Sequence, residues 1–146
     1  MGDPGVECRS SGGDHTFVVT FSNPVVSGNA SVTSGSGNVT GSPIFSGNTM
    51  TVNLTGVSDV QQITVTLSNV TDCFGSVLPD SMVTAGMLIG DATGNGTVNS
   101  SDIVQVKAQS GSPVTSANFR EDVNMDGVID ASDTGLVKSK SGHSLP

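Results

Sequence analysis

The chain has 146 residues, with five Phe and no Tyr or Trp, so its cores are built mainly from Val, Ile, Leu and Phe, and two small cores fit better than one large one. Thirteen acidic against five basic side chains give a net charge of -8. That balance excludes partners that demand a basic patch, nucleic acid and anionic membrane among them, and suits a cation ligand. No run approaches the roughly 20 apolar residues of a membrane span, so no membrane insertion is expected.

Richness in Ser, Thr, Gly, Asn and Val with few Lys points to an extracellular or cell-surface protein. The opening "MGDPGVECRS" has neither a basic start nor an apolar run, and Met1-Gly2 has the look of an added start. The expectation is a piece from the C-terminal end of a larger exported protein. Cys8 and Cys73 lack metal-ligand spacing. They either pair, closing a long loop for about 2–4 kcal/mol, or remain two free thiols.

In chain order, "HTFVVTF" (15–21) is apolar and β-branched, and "NASVTSG" (29–35) alternates. "TMTVNLTGV" (49–57) sets Met50, Val52 and Leu54 on one face and Thr49, Thr51, Asn53 and Thr55 on the other; "QITVTLSNV" (62–70) repeats this with Ile63, Val65 and Leu67. Gly- and Ser-rich turns separate these runs. Period-two alternation with such breaks predicts an antiparallel β-sandwich over residues 1–87. The segments "VVTFSNPV" (18–25), "FSGNTMTVNLTGV" (45–57) and "QITVTLSNVTDCFGSVLP" (62–79) resemble bacterial immunoglobulin-like domains of surface proteins, a resemblance that implies a fold more than a function.

After "LIG" (88–90) the pattern changes. Shifting the chain by 31 residues lays Asp91 on Asp122, Asn95 on Asp126, Gly96 on Gly127, Asn99 on Asp130 and Asp102 on Asp133, with 112–121 as connector. The second copy, "DVNMDGVIDASD" (122–133), offers side-chain oxygens from Asp122, Asn124, Asp126, Asp130 and Asp133, and the backbone carbonyl of Val128. Gly127 stands where the chain must turn sharply. This is a twelve-residue calcium loop with Asp in place of the usual final Glu. A hard cation takes six to eight oxygens at about 2.3–2.6 Å, and alternate residues of a curled loop aim theirs at one centre. The first copy, "DATGNGTVNSSD" (91–102), offers Asp91, Asn95, the Thr97 carbonyl, Asn99 and Asp102, with Thr93 where Asp or Asn is expected. Two carboxylates against four predict that, of two Ca2+ sites, the second is tighter.

Each loop leads into a short helix opened by Ser100-Ser101 or Ala131-Ser132 and closed by Gly111 or Gly142. Ile103, Val104, Val106, Leu136 and Val137 are expected to supply its apolar contacts. Helices this short are not stable alone, so metal binding and folding are expected to be coupled. A tandem of calcium loop plus one following helix resembles a dockerin, carried by "GDATGNGTVNSSDIVQVKAQSG" (90–111) and "DVNMDGVIDASDTGLVKSKSG" (122–142). The resemblance implies a small α-helical module at 88–146, type I-like, that docks onto cohesins in a calcium-dependent way and is a monomer in isolation. Carried over by position, the partner-facing residues are Ser100, Ser101, Lys107 and Ala108, and Ala131, Ser132, Lys138 and Ser139.

The rival reading keeps the calcium and drops the cohesin: a structural cap or spacer of a large surface protein or adhesin. An enzyme is not expected. The only Glu residues, Glu7 and Glu121, lie far apart, and His15 and His143 have no evident catalytic partner in the sequence. Without Trp or Tyr, a sugar-stacking platform is not expected either. "SMVTAGMLIGD" (81–91) runs apolar straight into Asp91, so Met87, Leu88 and Ile89 are expected to be shared between a last strand and the following core, giving a fairly rigid pair.

Overall fold

A computed structural model describes residues 4–146. The elements are β1 (Val6–Glu7), β2 (His15–Thr20), β3 (Val25–Ser34), β4 (Asn38–Val39), β5 (Ile44–Ser46), β6 (Thr49–Thr55), β7 (Gln61–Asp72), β8 (Ser81–Met87), α1 (Ser100–Gln109), a 3-10 turn (Phe119–Glu121) and α2 (Ala131–Lys140). They form two compact units. One holds residues 13–58 and 63–84; the other holds 85–146 together with 59–62 and 4–12.

The first unit is all β, with two sheets consistent with a sandwich. β6 is flanked by β2 and β4, with β5 also paired to it, and β7 lies between β3 and β8. The β2–β6 register runs from His15–Leu54 to Thr20–Thr49 without a break. Alternation places Met50, Val52 and Leu54 of β6 and Ile63, Val65 and Leu67 of β7 in the core, with Val25, Val57 and Val70. The intervening Thr residues stay out of the core and bond across strands, as in the 2.7 Å contact between the Thr33 and Thr66 hydroxyls. Each buried aliphatic side chain contributes roughly 1.5–3 kcal/mol.

The second unit is helical, with a small core of Leu88, Ala92, Val98, Val106, Val123 and Val137. Its two copies are zipped reciprocally. Gly111 N–H, just past α1, donates to the Ile129 carbonyl of the second loop at 2.8 Å, and Gly142 N–H, just past α2, donates to Val98 O of the first loop at 2.8 Å.

A cut at 87/88 was the expectation from sequence; here the amino-terminal segment also belongs to the helical unit. Val6 and Glu7 pair in parallel with Gly86 and Met87, an exception to the antiparallel pattern. The Cys8 carbonyl accepts the Gly90 N–H at 2.9 Å, and Ser10 N–H donates to Val123 O at 3.0 Å. Asp59 joins the same unit: its carboxylate accepts the Ile89 N–H at 2.8 Å and pairs with the Lys140 ammonium at 3.0 Å.

One open alternative is decided and one expectation is corrected. Cys8 and Cys73 are free thiols, the first buried with its Sγ 3.4 Å from the Arg120 carbonyl, the second exposed in a turn. Val104 supplies no core contact; it is 66% exposed, because Ile103 and Val106 already occupy the inward side of α1.

Candidate metal centre

Each loop is organised by its first carboxylate. Asp91 Oδ1 accepts the N–H groups of Gly94 (2.9 Å) and Asn95 (3.0 Å), and Oδ2 accepts Gly96 N–H at 2.7 Å. Asp122 repeats this with Asp126 N–H at 3.1 Å and Gly127 N–H at 3.0 Å. The curl needs left-handed backbone twice per loop: at Gly94 (φ 74°) and Gly96 (φ 82°), and at Met125 (φ 60°) and Gly127 (φ 89°).

The last carboxylate of each loop is also the third residue of its helix. Asp102 Oδ2 accepts the Asn99 N–H at 2.8 Å while Asn99 Oδ1 accepts the Ser101 N–H at 2.8 Å, a capping box. Asp130 and Asp133 do the same for α2. Ser132 holds the Asp130 carboxyl below its usual value, first through its hydroxyl and then through its N–H. The sequence thus folds loop and helix start as one piece.

These arrangements draw the ends of each loop together. Thr93 Oγ1 lies 3.3 Å from Asp91 Oδ1 and 2.8 Å from Asp102 Oδ1, so the residue at the irregular third position touches both terminal carboxylates. Asn124, its counterpart, donates its backbone N–H to Asp133 Oδ1 at 3.2 Å and its side-chain amide to Asp126 Oδ2 at 2.8 Å. Asn95 Oδ1 and Asp126 Oδ1 each accept the N–H of the seventh residue, Thr97 or Val128, at 2.9 Å. Thr97 and Val128 themselves bridge to Ser144 and Pro113.

Asp91, Asp102 and Asp133 are fully buried and Asp122 nearly so. Among the described residues, ion pairs join Glu7 to Arg9 and Asp59 to Lys140, and none reaches these four carboxylates. Each of the four accepts at least two backbone N–H groups, but none has a positive partner, so their negative charge is left for a cation to offset. Nor does any group of three or more His, Cys, Asp or Glu side chains come together among the described residues. The four carboxylates of the second loop, expected to aim at one centre, are therefore not gathered there; a cation would have to draw them in together with amide, hydroxyl and carbonyl oxygens, a donor set that suits a hard ion such as Ca2+.

All eight helix positions expected to face a partner, Ser100, Ser101, Lys107, Ala108, Ala131, Ser132, Lys138 and Ser139, are exposed. Val104 stands with them on α1, and Gly135 takes its place on α2.

The sequence reading missed the braces behind the first loop. Arg120 donates to the carbonyls of Val6, Asp91 and Ala92, and Gln105 links Ala92 O to Glu121. A signal existed: shifted by 31, Arg120-Glu121 falls on Ile89-Gly90, a break in the repeat immediately before a loop.

A β-rich unit and a helical unit with two calcium-type loops thus share the chain. Residues 89–140 match the family model of the dockerin type I domain. Dockerin domains are non-catalytic modules that bind calcium and dock onto cohesins. No curated protein and no solved structure gives a significant match.

Proposed function

We infer that the helical unit binds two calcium ions, one in Asp91–Asp102 and a tighter one in Asp122–Asp133, and docks the protein onto a cohesin outside the cell. The β-rich unit is read as an immunoglobulin-like spacer. The observation that carries the reading is the pair of loops closed on buried carboxylates that pair with no positive side chain among the described residues, each loop continuous with a capped helix. In the first loop the oxygens of Asp91, Thr93, Asn95, Asn99 and Asp102 and the carbonyl of Thr97 would hold the ion. In the second, Asp122, Asn124, Asp126, Asp130, Asp133 and the Val128 carbonyl would do so.

Docking falls to the exposed helix faces. The α1 face adds an apolar side chain, Val104, to Ser100, Ser101, Lys107 and Ala108, whereas α2 has Gly135 there. Interface energy concentrates in a few desolvated anchors, so α1 is the stronger docking face. The test is surface plasmon resonance of the full chain over a panel of immobilised cohesins, in calcium and in chelator. Expected is binding in calcium alone, weakened by Val104→Asp far more than by Gly135→Asp. Calcium binding without capture by any cohesin would instead favour a calcium-dependent structural cap or spacer.

A further inference from the structure

We propose that Arg120 is a positioning residue for the first calcium loop, acting through the main chain and not as a ligand; this rests on the calcium reading above. Arg120 lies in the 3-10 turn just before Asp122. Its guanidinium donates to three backbone carbonyls: Nη2 to Asp91 O at 2.8 Å, Nε to Ala92 O at 3.0 Å and Nη1 to Val6 O at 2.8 Å. Asp91 and Ala92 are the first two residues of the loop. With their carbonyls held by the guanidinium, the Asp91 carboxylate gathers the amides of residues 94–96. Gly94, at the left-handed turn, lies against the same guanidinium: a Cβ there would sit 3.4 Å from Nη2. The next residue braces the same point, since Glu121 Oε1 accepts from Gln105 Nε2 at 2.7 Å and that amide also reaches Ala92 O at 3.3 Å.

The second loop is held differently. Its counterpart carbonyl, Val123 O, accepts the backbone N–H of Ser10 at 3.0 Å, which no side-chain change removes. The first loop also has fewer charged ligands, two carboxylates against four. A site short of ligand charge depends more on geometry fixed in advance, because ordering the loop otherwise subtracts from binding. The guanidinium is also a positive charge beside a cation site. Electrostatics alone therefore predicts tighter binding when it is removed; positioning predicts weaker.

The experiment follows calcium titration of the full, chelator-stripped, 15N-labelled chain by NMR. Gly96 and Gly127 N–H each donate to the first carboxylate of their own loop, at 2.7 and 3.0 Å, and so report the loops separately. In Arg120→Gln the Gly96 midpoint should move up by about tenfold or more, the scale of losing an outer-shell partner, with Gly127 nearly unmoved. Arg120→Lys, which keeps the charge but not the fork, should shift Gly96 in the same direction and serves if the Gln variant fails to fold. A Gly96 midpoint that is unchanged or lowered in a folded variant overturns the proposal. Equal weakening of both loops also overturns it, since that marks a merely structural role. If neither glycine of the unmodified chain responds at millimolar calcium, the calcium reading itself falls and takes the proposal with it.

Discussion

Cys8 and Cys73 carry one side chain into opposite surroundings. Burial pushes the Cys8 thiol up from 9.0 to about 12, while Cys73 is exposed. A maleimide reagent at neutral pH should label Cys73 at once and Cys8 only on unfolding; rapid labelling of both would contradict the buried placement. A raised folded value means that the contribution of neutral Cys8 is intact below pH 9.0 and is lost as pH rises toward about 12. Asp72 works the other way. The N–H groups of Ser76 and Phe74 and the Asn23 amide bond its carboxylate and hold it below 3.8. Its contribution is present above pH 3.8 and disappears as pH falls through the lowered folded value. Urea melts of the native protein and Asp72→Asn should therefore differ at pH 7 and converge in strong acid. Sequence reading could not reach these environments, because they are made by burial, backbone amides and one side-chain amide 49 residues away, none of which leaves a residue pattern.

Among the elements, those with strict periodicity were legible. β6 alternates throughout, and its register shows why, since β2 pairs with it residue for residue; β7 alternates through Leu67 and then changes phase at Asn69, whose φ is 52°, so that Val70 is buried next. β3 was legible only in part, since its pairing with β7 slips between Val25 and Ser27, Ser27 and Asn29, and Val32 and Ser34, and each slip breaks the period-two pattern. β1, β4 and β5 span only two or three residues and carry no period at all. The helices were placed well by the loops before them and the glycines after them. Their caps give an element-scale prediction. Asn99→Ala removes the acceptor for the Ser101 N–H and hydroxyl, and should cost about 1 kcal/mol in chelator, measured by urea denaturation followed by circular dichroism. No change would mean that α1 is held by packing alone. Val104 shows the limit of helix reading, because consecutive apolar residues at 103 and 104 do not announce which one faces outward.

At the scale of the whole molecule, the repeat announced the helical unit but not what else belongs to it. Val6, Cys8, Ser10 and Asp59 join it through hydrogen bonds that each involve a main-chain group, and one ion pair, to distant residues, contacts with no sequence signature. A fragment of residues 85–146 should consequently melt lower in chelator than the same unit in the full chain, judged by the dispersion of its amide signals on heating. Equal stability would show the amino-terminal segment to be a passenger. The core of the unit is small and mostly Val, and four loop carboxylates are buried, so on the calcium reading its folding is expected to strengthen when a cation binds. The most direct test is calorimetric titration of the chelator-stripped chain with calcium, alongside circular dichroism. The account predicts two binding events and a gain of helix, with the tighter event lost in Asp122→Ala. No heat and no change in helix at millimolar calcium would contradict it.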